Sequence, residues 1–232
     1  NYVALSGIAG HSGRQHSGPP PMGIQIADIA GGSLHSVIGI LAAVIERQRS
    51  GLGQYIDISM TDCVVGLSSM AAAASLAGQE KQGPEQSYLN GATFYDYYET
   101  QDGRYLSIGS LEPQFLHGLA QILELPIVAE KGASLVTEDR QVVKQAIKDK
   151  IKTQDFATWN AIFQQQDVCV EPVLKLDEAL DSQLAKDRAW VVSVPLQEGS
   201  TKSEQQLACP IKFSRSKIRY EFIGKPLGFD SL

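Results

Sequence analysis

The sequence predicts an α/β or mixed α/β fold in which a small domain, residues 87–197, is inserted into a larger one made of residues 1–86 and 198–232. Three observations lead to this class. Apolar residues follow Ser33 at the spacing of a helix with one buried face. Two strand-like runs meet at Asp102-Gly103, a dipeptide typical of a β-hairpin turn. Helical and strand-like segments alternate along the rest of the chain, with polar, turn-rich stretches near both domain boundaries.

The composition describes a chain that can bury a sizeable core, with 232 residues of which 43% are hydrophobic. The net charge is −6 and Lys and Arg form no run, so nothing indicates a nucleic-acid or anionic-membrane partner. The three cysteines are odd in number and far apart, which favours reduced thiols over disulfides. The sequence shows no metal-ligand spacing, signal peptide or apolar run of membrane-spanning length. We therefore expect a cytoplasmic protein without metal, nucleic acid or membrane association.

The first long helix places an acid at its start. Ser33 is a typical N-cap, and Gly51 follows two cations at the other end, as expected for a C-terminal cap. Asp28 therefore lies just ahead of the helix or in its first turn, where unpaired N–H groups would hold its carboxylate as an anion. Gly31 and Gly32 leave room for a ligand or another backbone. Helix capping remains the alternative role of Asp28. The apolar positions of the predicted buried face are Leu34, Val37, Ile38, Leu41, Val44 and Ile45.

The segments around this helix are predicted from their composition. Glycines and prolines make residues 10–23 a loop. Residues 54–59 alternate like a short strand. Residues 60–77 have helical propensity and almost no charge, so we expect a buried helix that packs against a partner subunit in a homodimer.

The small domain begins with the hairpin, whose strands cover residues 92–98 and 104–109. Pro113 opens a helix, because proline is favoured in a first turn. Pro172 cannot donate to a ladder, so residues 168–174 are predicted to be an edge strand. The other elements predicted from periodicity are helices at 138–152, 155–165 and 177–184, a strand at 190–196, and polar linkers at 78–87 and 197–206.

Eight blocks of sequence, in order along nearly the whole chain, carry a resemblance to a known family. The blocks are residues 1–7, 26–32, 39–43, 50–57, 94–99, 102–105, 109–115 and 168–174. Together they resemble the family III CoA-transferases, a superfamily that includes α-methylacyl-CoA racemases and the carnitine and formyl CoA-transferases. Several blocks of this length are far more specific than one short motif.

The resemblance implies a Rossmann-like large domain, a small α/β domain and two interlocked subunits. It also implies that about the first third of a family member precedes Asn1. In the family that part supplies much of the CoA-binding surface and, in racemases, a catalytic His. The substrate implied is an acyl-CoA, so coenzyme A arrives as part of the substrate, with no permanently bound cofactor and no metal.

Asp28 matches the catalytic aspartate of the family, and the resemblance allows it two chemistries. In the transferases this Asp attacks an acyl-CoA thioester and then carries CoA as an aspartyl thioester, which requires an ionised nucleophile. In the racemases it moves the proton α to the thioester, which requires a base whose pKa burial has brought near the working pH.

Two further positions favour opposite branches. Glu112, in the block Glu112-Pro113-Gln114-Phe115, matches the racemase Glu that orients the catalytic His, and the nearby loop lacks the glycines of formyl-type transferases. Ile24 occupies the position where racemases have Asn, which favours a transferase. Capping of the helix opened by Pro113 is the alternative role of Glu112. The sequence therefore favours the racemase slightly, with the transferase and a non-catalytic binding subunit as alternatives.

Overall fold

The computed structural model of the chain describes residues 1–78, 83–225 and 228. Packing divides it into two units, Asn1–Pro172 and Val173–Leu232. Each unit combines helices with antiparallel strands, so the mixed α/β class is confirmed. The predicted domain boundaries at 86/87 and 197/198 concern the arrangement of a whole family member and stay a prediction.

The first long helix begins earlier than predicted. Two short helices, α1 (Tyr2–Leu5) and α2 (Ile8–His11), precede the loop, and a π-helical segment, η1 (Ala27–Leu34), continues directly into α3 (His35–Ser50). Ser33 is therefore not an N-cap; its hydroxyl donates to the backbone oxygen of Asp28 at 3.0 Å inside the helix. The predicted C-terminal cap is confirmed, because Gly51 has a φ of 78° and its N–H donates to Arg47.

The apolar face of α3 is not buried within this chain. The side chains at all six predicted positions are exposed, from 36% at Val44 to 62% at Ile38. Residues Ala27–Ser50 form a helix of 24 residues that is long and apolar enough to cross a membrane by length and composition. The sequence analysis expected no apolar run of membrane-spanning length. That expectation was wrong, because the predicted helix began only at Leu34.

The helix predicted at 60–77 is two helices, α4 (Met60–Leu67) and α5 (Ser69–Leu76). Ser59 caps α4 by accepting from the N–H of Asp62 at 3.3 Å. Val64 is fully buried, but no residue of α5 is, so the expected burial is not provided by this chain. Residues 51–59 form no strand; two of their isoleucines instead lie beside Gly39 of α3.

The core of the first unit is built on a three-stranded antiparallel sheet. The predicted hairpin is confirmed as β1 (Asp96–Glu99) and β2 (Tyr105–Ile108), and β3 (Val170–Pro172) pairs with β2 at the edge, as Pro172 required. The turn closes where the N–H of Gly103, with a φ of 79°, donates to Thr100.

Four helices bury one face of this sheet, while Tyr97 and Tyr105 stay exposed on the other. They are α6 (Pro113–Leu123), α7 (Pro126–Lys131), α8 (Thr137–Ile151) and α9 (Phe156–Phe163), of which α7 was not predicted. Asp155 caps α9 as expected, accepting from Thr158 at 2.8 Å. The buried side chains of the shared core include Phe94, Leu106, Ile108, Leu119, Leu123, Val143, Ile147 and Ile151.

In residues 173–225, the second unit contains two short helices and a hairpin. The helix predicted at 177–184 is split into α10 (Leu176–Asp181) and α11 (Gln183–Asp187), because Ser182 is extended and caps α11. The predicted strand is β4 (Val191–Pro195), and it pairs with β5 (Ser203–Leu207). The prediction of a linker at 197–206 was therefore wrong: its polar residues are those of a turn and an exposed strand.

An ion-pair cluster, formed by Arg14, Glu85, Asp96 and Lys144, joins the N-terminal loop to the sheet. Both terminal nitrogens of Arg14 donate to Asp96, at 2.6 and 2.7 Å, and one of them donates to Glu85 at 3.0 Å. Lys144 lies 2.7 Å from Asp96. Burial raises the pKa of the Asp96 carboxyl, but hydrogen bonds from Arg14 and Lys144 outweigh it and hold that pKa below its ordinary value.

We expect Val143→Ala in α8 to lower the free energy of unfolding by roughly 2 kcal/mol, because it removes two methyl groups from a closed core. Val142→Ala is the matched control, since Val142 is 51% exposed and Val143 is 1% exposed on the same helix. Urea denaturation measures both. Equal losses for the two variants would contradict the packing described here.

The Asp96 contribution to stability should be lost in acid. Because the folded pKa lies below the unfolded value, the ionised carboxylate stabilises the fold above about pH 4, and this contribution falls as pH drops through the folded pKa. The difference in unfolding free energy between wild type and Asp96→Asn should therefore shrink in acid. Denaturation at several pH values measures it, with exposed Asp57→Asn as control. A difference that stays constant from about pH 7 to pH 3 would refute this.

Candidate active site

Asp28 lies in the first turn of a helix, which is one of the two positions that the sequence predicted for it. It is the second residue of η1, and its side chain is exposed. Among the described residues, no group hydrogen-bonds its carboxylate, so the capping role is not observed. This carboxylate is thus free to meet a ligand.

The π-helical turn around Asp28 is held by close packing on α4. A Cβ on Gly31 would lie 3.0 Å from the backbone oxygen of Met60 and 3.0 Å from Val64. A Cβ on Gly32 would lie 3.3 Å from the Met60 side chain. The two glycines therefore admit another backbone, which is one of the two roles predicted for them. Single π-turns within helices occur frequently at functional sites, although the sequence carried no signal for this one.

Glu112 is the N-cap residue of α6 and is exposed. Its side chain makes no capping hydrogen bond, so the purely structural role is not observed either. The loop before it is fixed to the segment leading into β3, because Ser110 donates to Val168 and Gly109 donates to Cys169. Glu112 is therefore an exposed acid on a rigid support.

One neighbour of Glu112 is the thiol of Cys169. Burial raises the pKa of this thiol, and the negative charges of Glu112, Asp167 and Glu171 raise it further. Cys169 has a φ of 51° and its backbone oxygen accepts from Gly109. The thiol is thus kept protonated beside an acidic surface, which does not activate it as a nucleophile.

The two predicted acids lie on elements with different neighbours. The η1 segment of Asp28 packs on α3 and α4, whereas α6, which follows Glu112, packs on α7 and the sheet. No hydrogen bond or ion pair joins the two acids within the described part of the chain. A site that uses both must therefore be completed by further groups.

A cavity of about 720 Å³ lies in the first unit between α5 and residues 86–90. Its apolar wall includes Met70, and its polar wall includes His11, Asn90 and Arg140. Neither predicted acid lines it. Sequence analysis did not identify this cavity, because its walls come from four separate segments.

Metal ligands are not grouped anywhere in residues 1–78 and 83–225: no three His, Cys, Asp or Glu side chains there could hold an ion. The three cysteines of the chain are free.

The comparisons with known proteins agree on one family. The model of CoA-transferase family III matches residues 1–231. α-Methylacyl-CoA racemase of Mus musculus is 39% identical over 195 residues, which is 83% of this chain and 51% of that protein. The racemase of Homo sapiens is 33% identical over 204 residues, 87% of this chain and 53% of that protein. The chain thus spans about half the length of these relatives.

A transferase and a solved structure are also similar. Succinyl-CoA:glutarate CoA-transferase of Mus musculus is 26% identical over 180 residues, 75% of this chain and 41% of that protein. The crystal structure of a CAIB/BAIF family protein from Brucella suis superposes with a TM-score of 0.71 at 23% identity, covering 95% of this chain and 57% of that chain. The structural likeness supports the fold. With the family model matched along residues 1–231, the chain belongs to CoA-transferase family III.

Proposed function

We propose that this chain is part of an enzyme that moves the α-proton of a 2-methylacyl-CoA thioester, as an α-methylacyl-CoA racemase does. One observation carries the choice within the family: the racemases are 39% and 33% identical to the chain, whereas the mouse CoA-transferase is 26% identical. Both classes act on CoA thioesters, so the substrate class is an acyl-CoA in either case.

In this proposal Asp28 is the proton carrier on one face of the substrate. Its carboxylate removes the α-proton, and the electron pair moves into the thioester carbonyl to give an enolate. A second acid on the opposite face then returns a proton to the α-carbon, which inverts the centre. Asp28 is exposed in this chain, so the proposal requires that a second subunit or another part of the protein bury it.

Glu112 is the positioning residue of the proposed racemase site. It would accept a hydrogen bond from the catalytic His that the family resemblance implies, and so hold that ring toward the substrate. Its exposed position at the start of α6 and the absence of a capping bond leave its carboxylate available for this contact.

A CoA-transferase is the second candidate, and the exposure of Asp28 favours it. The carboxylate of Asp28 lies exposed in the first turn of a helix, where a thioester carbonyl could approach it as the target of a nucleophile. The carboxylate would attack the thioester carbonyl and expel CoA thiolate, leaving a mixed anhydride. The thiolate would then attack the aspartyl carbonyl, release the acyl group as a carboxylate and form an aspartyl-CoA thioester. A non-catalytic binding subunit is the third candidate.

We also propose a homodimer, in which a second subunit covers the apolar faces of α3 and α5. Leu41 and Ile45 of α3 are more than half exposed, and Met70 and Leu76 of α5 are exposed to 70% and 89%. Exposed apolar side chains grouped on a helix face are typical of a contact surface. A Rossmann-like large domain, interlocked subunits, a cytoplasmic location and no membrane contact belong to the same proposal. The free cysteines are consistent with a reducing compartment.

Two measurements, deuterium uptake at the substrate and adduct formation on Asp28, distinguish the two reactions. If Asp28 carries a proton, a 2-methylacyl-CoA incubated with the protein in deuterium oxide should gain deuterium at its α-carbon without any acceptor acid. If Asp28 is a nucleophile, an acyl-CoA should leave an aspartyl adduct that hydroxylamine releases. Mass spectrometry reads both outcomes. We expect deuterium uptake; an adduct without uptake would assign the protein to the transferases.

Asp28→Asn should abolish the reaction, by at least about a thousandfold, because an amide neither removes the proton nor forms an anhydride. Asp62→Asn is the matched control, since Asp62 is also an exposed acid in the first turn of a helix. It should retain activity within about twofold. Retained activity in Asp28→Asn would remove Asp28 from the mechanism, and an inactive wild type that binds acyl-CoA would favour the binding subunit.

The assembly can be tested on the same chain. We expect light scattering to give twice the 25.1 kDa mass of one chain. Leu41→Glu should produce a monomer, because it places a charge in the proposed interface. Val142→Glu is the control, since Val142 is 51% exposed on α8, outside that surface. A monomeric wild type at moderate concentration would contradict the proposal.

A further inference from the structure

We propose that Arg14 is a positioning residue for Asp28, because it ties the loop that leads to the Asp28 helix to the sheet of the first unit. The proposal builds on the proposed function, in which Asp28 carries the chemistry. It rests on a set of contacts that runs from a buried strand to residues 11–20, the loop that precedes η1 in the sequence.

The fixed end of this set of contacts is Asp96, the first residue of β1. Its side chain is only 7% exposed, and Lys144 of α8 holds it at 2.7 Å. Lys144 also donates to the backbone oxygen of Gly91 at 2.6 Å. The Asp96 carboxylate is therefore held by both the sheet and the helix that covers it.

Arg14 attaches the loop to this carboxylate with defined geometry. Its two terminal nitrogens donate to the two different oxygens of Asp96, which fixes the orientation of the guanidinium as well as its distance. Glu85 adds a second contact, since it accepts from Arg14 and from the N–H of Gln15, each at 3.0 Å. A lysine could supply the charge but not this two-point contact.

A second attachment lies three residues earlier. The side-chain amide of Asn90 donates to the backbone oxygen of His11 at 3.1 Å, and the Ser87 hydroxyl lies 3.4 Å from the His11 ring. Residues 11–15 are thus attached to residues 85–96 at both ends.

The loop turns back on itself before the chain reaches Asp28. Gly13 has a φ of 95°, and a Cβ there would lie 2.7 Å from the Pro20 ring, so residues 13 and 20 touch. The N–H of Ser17 closes the turn by donating to Arg14 at 3.2 Å. Six residues separate Pro20 from the start of η1 at Ala27, and within them the N–H of Ile26 donates to Ile24.

The opposing interpretation is that the cluster only stabilises the fold. Two measurements distinguish this interpretation from the positioning role: hydrogen exchange of the amides at residues 24–34, and the kinetics of α-proton exchange. The variant is Arg14→Met, and the matched control is Lys131→Met, which removes an ion pair of similar exposure: the Lys131 and Arg14 side chains are 43% and 46% exposed. Lys131 pairs with Asp139, away from the loop.

Arg14→Met should speed amide exchange at residues 24–34 by about tenfold and lower kcat by about tenfold, with KM within about twofold, because small displacements of a reacting group are costly. Lys131→Met should change neither. Arg14→Lys should give intermediate values; it also replaces Arg14→Met if that variant does not fold. Faster exchange confined to residues 11–20, or an equal loss in Lys131→Met, would overturn the proposal. Turnover is measured on the whole enzyme of which this chain is proposed to be part. If that enzyme shows no turnover, the proposed function fails, while the amide exchange still decides the role of Arg14.

Discussion

The first unit depends on the apolar packing of α6, α7, α8 and α9 against one three-stranded sheet. This packing closes around side chains such as Leu106 and Ile147, which are fully buried. Burial of this kind supplies most of the stability of a small α/β unit. It also fixes the direction of β1, and β1 presents the carboxylate to which the N-terminal loop is attached. In the proposal for Arg14, this core therefore helps to position a helix that does not belong to it.

The first unit buries the apolar side chains around its sheet but leaves those of its first long helix exposed. Around the sheet, the amphipathic helices find partners within the chain. The helix of Ala27–Ser50 has the same periodicity, but its apolar face remains exposed. An amphipathic pattern predicts that one face of a helix is covered, but it does not identify the group that covers it. The match to this chain covers 51% and 53% of the two racemases, so these relatives contain protein segments outside the matched region.

In the proposed site, the reaction of Asp28 would depend on what surrounds it. A solvated carboxylate can act as a nucleophile, whereas burial raises the pKa of a carboxyl group and suits it to proton exchange near neutral pH. One aspartate can therefore serve both branches of the family. The groups that cover Asp28 would decide between the racemase and the transferase reaction. Glu112 and Ile24 alone therefore do not decide it, and they can favour different reactions.

The sequence alone determined the features that depend on local chemistry: the Asp-Gly hairpin, the proline that opens α6, the Asp155 cap and the family blocks containing Asp28 and Glu112. Only the tertiary structure decided the start of the first helix, because the π-turn relies on Gly31 packing against α4. It also decided that residues 197–206 hold part of a paired strand, since strand pairing compensates for their weak local preference. The Arg14 cluster could not be predicted, because Arg14 and Asp96 lie 82 positions apart and meet only through folding. Local preferences are encoded within a few residues, whereas burial and long-range ion pairs depend on which distant segments the core brings together.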